Sequence, residues 1–146
     1  MKKIIFLGLA FLLTTGAYAQ EKKSPLEGAW KCIYIGGPVT TDTSFQAMIK
    51  EGQIKMFSKR YWTFVGHFES KLDTGIYIYE GYGAGTYKLN GDKYEETIIY
   101  HNQKDLVGKK YKAIDKIRND TLFHTATDDN WKIREDIANE IYVRLK

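Results

Sequence analysis

The chain contains a single cysteine, Cys32, so no internal disulfide can form and stability has to come from side-chain packing. In a strand-like context this cysteine is expected to be a small buried residue without reactivity. Long apolar runs are also missing. The longest, Ile4 to Leu13, is about half of the ~20 residues that a transmembrane helix needs. Low-complexity stretches and linkers are absent, which points to one domain. A one-sided basic stripe is absent as well: Lys and Arg alternate with Asp and Glu along the chain, and this argues against nucleic acid as a partner.

Several catalytic signatures are missing too. There is no nucleophile elbow, and no serine stands in a recognisable context with a histidine and an acid. His67, His101 and His124 do not have the short spacings of metal sites, so neither a metal nor a cofactor is expected. Gly81, Gly83 and Gly85 form a glycine-rich stretch without a following helix whose N-terminus would hold phosphate. These glycines are expected to allow a turn and a bend in a sheet instead.

The N-terminus has the pattern of a removable leader. Lys2 and Lys3 precede the apolar run, and Ala17 and Ala19 supply small residues before Gln20. The expectation is a signal peptide over 1–19, cleaved after Ala19, and a mature domain over 20–146 that works in the periplasm or outside the cell. Cys32 lies well beyond the leader, so a lipid anchor is not expected. Without the two leader lysines, 20 basic residues face 18 acidic ones and the net charge falls from +4 to +2.

The remaining signal is aromatic alternation at period two. In Arg60 to Phe68, Trp62, Phe64 and Phe68 share one face while Tyr61, Thr63 and His67 share the other, the pattern of a half-buried strand. Similar runs rich in Tyr, Ile, Val, Thr or Phe cover Ala29–Ile35, Gln53–Phe57, Gly75–Tyr79, Gly85–Leu89, Tyr94–Tyr100, Lys110–Ile117, Thr121–Thr125 and Glu140–Leu145. Asn90 with Gly91, and Asn119 with Asp120, provide hairpin turns. The spacing predicts a mainly β, antiparallel up-and-down barrel of about eight to ten strands. One short helix is expected near the start: Thr43 and Gln46 resemble a capping box, Phe45, Met48 and Ile49 recur at helical spacing, and Gly52 can terminate it. This segment would cover one mouth of the barrel, or lie as an irregular loop.

These residues carry a family resemblance. Leu26, Gly28 and Trp30 resemble the first-strand motif of the calycin group, which includes lipocalins and fatty-acid-binding proteins, and Tyr142, Val143 and Arg144 resemble its final strand. The order of Tyr61 to Phe64, Gly85 to Tyr87, Asp92, Tyr94 and Glu96, Leu106 to Gly108, and Asp120 to Leu122 is similar to small exported lipocalin-like proteins of Bacteroidetes. The resemblance implies that Arg144 packs over Trp30 and closes the barrel floor. The stretch Asp128–Asn139 departs from the family in being longer and more polar, and would form an extra edge strand or a loop.

A barrel of this kind holds one small hydrophobic or amphipathic ligand in its interior. Candidate lining residues are Trp62, Phe64, Tyr77, Tyr79, Tyr87, Tyr94 and Tyr100, although an inward aromatic stripe can equally be core packing. Glu96 shares a face with Tyr94, Ile98 and Tyr100. If that face points inward, desolvation would raise its pKa, and an enzyme using Glu96 and tyrosines becomes the alternative function. A cavity-free interaction module is the third reading. For Arg144 the resemblance argues inward, where it would bind a ligand carboxylate or cover Trp30. Hydropathy argues outward, because Ile141, Val143 and Leu145 form the more apolar face.

Overall fold

The computed structural model describes residues 23–36, 52–72, 75–134 and 139–146, with side chains outside 68–79. The expected leader, and the expected helix from Thr43 up to Glu51, lie outside these residues; Gly52 itself opens a strand. Eight strands form one closed antiparallel barrel in which each strand pairs with its sequence neighbours and the last pairs with the first. They are β1 (Gly28–Gly36), β2 (Gly52–Ser58), β3 (Tyr61–Leu72), β4 (Gly75–Asn90), β5 (Lys93–His101), β6 (Lys110–Arg118), β7 (Thr121–Thr127) and β8 (Asn139–Arg144). A 3₁₀ turn at Lys104–Leu106 sits between β5 and β6.

The two runs expected at Gly75–Tyr79 and Gly85–Leu89 are one sixteen-residue strand, β4, so the count is eight and the glycines between them do not turn the chain. Their role is to make room. Gly85 pairs with Trp62 and Gly83 with Phe64 across β3–β4. A Cβ on Gly85 would lie 2.8 Å from Trp62 Nε1, and one on Gly83 would lie 2.8 Å from Phe64 Cε1. Bulky inward rings are thus bought with bare backbone opposite them. Both expected hairpins form, and Asn119 and Asp120 each take the left-handed φ (+47° and +59°) that a tight antiparallel turn of this hand requires. Of the stretch after Thr127, the described residues 128–134 form a loop held by a bridge from Thr127 to Ile133, and Asp128 ties it by accepting from the backbone N–H groups of Asn130 and Lys132.

One end of the barrel is packed shut. Leu26, Trp30, Phe57, Tyr87 and Leu122 are buried there in the core, and Phe57 meets Tyr87 edge to face at 5.2 Å. Trp30 donates from Nε1 to the Leu26 carbonyl at 2.6 Å. Arg144 lies 4.0 Å above the Trp30 ring and donates to the carbonyls of Glu27 and Pro25, each at 2.7 Å. Arg144 therefore closes the floor, as the resemblance implied, and its assignment as a ligand contact is corrected: its donors are spent on these two carbonyls and on Asp120 Oδ1, 3.4 Å from Nε, outside the cavity. Replacing it by Lys keeps the charge but loses the planar fork that reaches two carbonyls while stacking on indole. We expect Arg144→Lys to lower stability by about 1–2 kcal/mol in urea unfolding; a loss below about 0.5 kcal/mol would mean that the floor holds without the fork.

Cys32 is buried in β1 beside this core, and burial, with Glu140 adding to it, pushes its thiol up to about 12. The thiolate is the reactive form, so the native protein should leave a disulfide reagent unreacted at pH 8 and consume one equivalent only after unfolding. Rapid reaction of the folded protein would contradict the burial.

A candidate ligand cavity in the open half of the barrel

Among the described residues the interior above the floor is open, and a cavity of about 420 Å³ reaches the end of the barrel that carries the β5–β6 and β7–β8 connections. Its walls include Trp62, Phe64, Ile98 and His101 from β3 and β5, and the polar residues Gln53, Lys55, Glu96, His124, Thr127 and Glu140 from β2, β5, β7 and β8. The interior is thus more polar than the aromatic pattern suggested.

The polar wall arises from strands whose alternation runs opposite to hydropathy. In β2, Ile54 and Met56 are 37% and 43% exposed, whereas Gln53 and Lys55 are 6% and 5% exposed. A lysine in such a place needs a partner. The Lys55 ammonium binds Glu96 Oε2 at 3.1 Å and lies 5.0 Å from the Trp62 ring and 5.5 Å from the rings of Phe57 and Tyr94. Tyr94 donates its hydroxyl to the same carboxylate oxygen at 2.6 Å.

Burial by itself would raise the Glu96 pKa, as expected from sequence, but the Lys55 ammonium and the Tyr94 hydroxyl outweigh it and hold the carboxyl below its ordinary value. Burial would likewise lower Lys55, and Glu96 and Glu140 overcome it, so the ammonium is held above its ordinary value. Glu96 points inward, which settles the facing that the sequence left open, and the direction of its pKa shift is corrected.

Two further polar groups complete the wall. His124 Nδ1 lies 2.6 Å from Asp115 Oδ1, and Asp115 sits buried behind the ring in β6. Burial would depress this imidazole, but the adjacent carboxylate prevails and raises its pKa. Gln53 donates to the Tyr142 hydroxyl at 2.7 Å, and Tyr142 in turn donates to Glu140.

The two shifts bracket a pH window. Glu96, lowered in the fold, contributes stability that is complete above its ordinary value of 4.5 and fades as pH falls through the lowered one. His124, raised in the fold, contributes stability that is complete below 6.5 and fades as pH rises through the raised value. Thermal stability should therefore peak between these two values, and His124→Gln should flatten the alkaline side of the peak. An unchanged alkaline side would mean that His124 gains nothing from Asp115.

Of the residues expected to line the interior, Trp62, Phe64 and Glu96 do so. Tyr87 and Tyr94 point inward but are packed into the core below the opening. Tyr77 and Tyr79 lie outside the residues whose side chains are described. Tyr100 is corrected: it is 59% exposed on the outer wall, stacked on Tyr82. A bulge in the β4–β5 pairing places Ile98 opposite Gly85 and Tyr100 opposite Ala84, and the extra residue, Ile99, reverses the facing from Tyr100 onward. His101 consequently takes the inward place, 5.6 Å from Phe64. On the outside, Met56, Tyr61, Thr63, Ala84 and Ile99 line an apolar groove.

No protein-family model and no curated protein matches the sequence. Among solved structures, the chain is similar to an uncharacterized protein from Bacteroides eggerthii DSM 20697, with 11% identity and a TM-score of 0.44 over 82% of this chain and 99% of that one. It is also similar to a protein described as REP1-NXSQ fatty acid transporter, with 10% identity and a TM-score of 0.37 over 83% of this chain and 96% of that one.

Proposed function

We propose that this chain is an exported, non-catalytic binding protein of calycin type, whose barrel holds one small amphipathic molecule. The observation that carries the reading is the cavity of about 420 Å³, open at one end, with aromatic rings facing buried charges. Small-molecule sites commonly span about 300–1,000 Å³ and combine apolar walls with a few fixed polar groups. Its partner is then a small molecule and not nucleic acid, since the nearly neutral mature chain lacks a basic stripe.

The test is native mass spectrometry of the purified protein, solvent extraction of its contents, and thermal shifts with fatty acids, aromatic acids and their neutral analogues. A bound ligand at a hundredfold excess over Kd adds about 2.7 kcal/mol of stability. Absence of any adduct and of any stabilisation across the panel would end the reading. For export, the mass of the protein recovered outside the cytoplasm should correspond to a chain beginning at Gln20; an intact leader on that material would refute it.

The enzymatic alternative needs Glu96 and a tyrosine hydroxyl within hydrogen-bond reach, and Tyr94 meets that condition at 2.6 Å. The electrostatics oppose it. A general acid or base works best with a pKa near the operating pH, whereas Lys55 holds Glu96 low, and burial followed by the Glu96 charge pushes Tyr94 well above its ordinary value. The interaction-module reading required a filled barrel, and the open half of the interior favours a ligand instead.

A further inference from the structure

The two walls of the cavity differ in shape and in the chemistry they leave unused. One is flat. Trp62 and Phe64 lie nearly parallel, 14° between planes and 6.1 Å between centroids, and Gly85 and Gly83 opposite them keep the rings against the sheet. The Lys55 ammonium already stands over Trp62, which is buried in the core, so the face left for another ring is that of Phe64.

On the other wall the carboxylates already have donors. Glu96 accepts from Lys55 and Tyr94, Glu140 accepts from Tyr142, and Asp115 Oδ1 is held by His124. Asp115 Oδ2 is also buried without a hydrogen-bond partner among the described residues, but Asp115 does not line the cavity, and what the lining itself still offers is mostly donors. With Nδ1 turned to Asp115, His124 keeps Nε2 for the cavity that its ring lines. Glu96 is the one hydrogen-bond acceptor on the Lys55 ammonium among the described residues, although an ammonium carries three N–H bonds. Thr127 Oγ1, on a residue that lines the same cavity, is buried without a hydrogen-bond partner among the described residues, as is Trp62 Nε1. Buried polar groups of this kind are rare in native folds unless something else meets them.

We propose that the cavity's occupant is a planar aromatic carboxylate, its ring laid on Phe64 and its carboxylate received by His124 Nε2 and the Lys55 ammonium. This rests on the ligand-binding reading above and adds the ligand's class. Two donors of positive charge fit one carboxylate with charge-assisted bonds, and the neighbours set that charge: Asp115 on β6 and Glu140 on β8 raise His124, while Lys55 on β2 opposes them, and Glu96 on β5 balances Lys55.

The test is titration calorimetry of the purified protein with indole-3-acetate, indole-3-ethanol and decanoate. Indole-3-acetate should bind at least tenfold more tightly than indole-3-ethanol, which keeps the ring and loses the charge, and more tightly than decanoate, which keeps the charge and loses the ring. His124→Gln should cut the preference for acid over alcohol to threefold or less. If that variant does not fold, the Nε2 shift of His124 in the unmodified protein, followed by ¹⁵N NMR as indole-3-acetate is added, reads the same contact. Equal binding of acid and alcohol, tighter binding of decanoate, an Nε2 shift that stays put, or binding of none of the three while other compounds bind, would overturn this inference and leave the binding reading standing. Failure of every compound in the wider panel would remove both.

Discussion

Lys55→Met should cost about 3–5 kcal/mol of stability, because it strands Glu96 in a largely buried place with its cation removed. The remaining Tyr94 hydroxyl cannot compensate a full charge, so Glu96 would be driven to take up a proton. Two consequences separate this from simple loss of packing. The double variant Lys55→Met with Glu96→Gln should recover most of the loss, since a buried ion pair replaced at both ends by neutral groups is often close to neutral. The single variant should also be less impaired at acid pH, where protonating Glu96 is easier. Urea unfolding of the three proteins at two pH values decides it. A single variant within about 1 kcal/mol of the parent would show that the pair is hydrated and contributes little.

Gly85→Ala is the second large effect. The added Cβ would lie 2.0 Å from the Thr97 carbonyl oxygen and 2.8 Å from Trp62 Nε1. A backbone oxygen in a paired strand cannot step aside, so β4 and β5 must separate locally or the bulge must shift. Overpacking of this kind costs about 1–3 kcal/mol, and here the upper end is expected. Gly83→Ala supplies the comparison: its 2.8 and 2.9 Å approaches are to the side chains of Phe64 and His101, which can turn, while the nearest backbone atom is 3.2 Å away. The loss in urea unfolding should therefore be clearly smaller at position 83. Equal losses at both would mean that the ring wall, and not the Thr97 carbonyl, sets the limit.

Much of the barrel was legible because antiparallel strands with one buried face announce themselves by alternation, and because Asn-Gly and Asn-Asp mark reversals of the chain. Three things escaped. The glycines at 81, 83 and 85 resemble a turn locally, and only the rings of the neighbouring strand show that they are inside β4. The bulge after Ile98 cannot be seen in one strand's pattern, because it is a property of the pairing, and it exchanged Tyr100 for His101. Lys55 was invisible for a physical reason. Hydropathy places Ile54 and Met56 inside, and the opposite facing is stable only because Glu96, forty-one residues away, supplies the countercharge. The Asp115–His124 pair was hidden similarly: neither residue is unusual alone, and hairpin register makes them direct partners.

Closure of β1 against β8 sets Trp30 beside Arg144, so the described chain enters and leaves the barrel at the sealed floor, opposite the mouth. Anything joined after Lys146, whether an affinity tag, a fluorescent reporter or a tether to a solid support, would hang from the far pole. Immobilised in this way, the molecule would present its opening to the bulk solution.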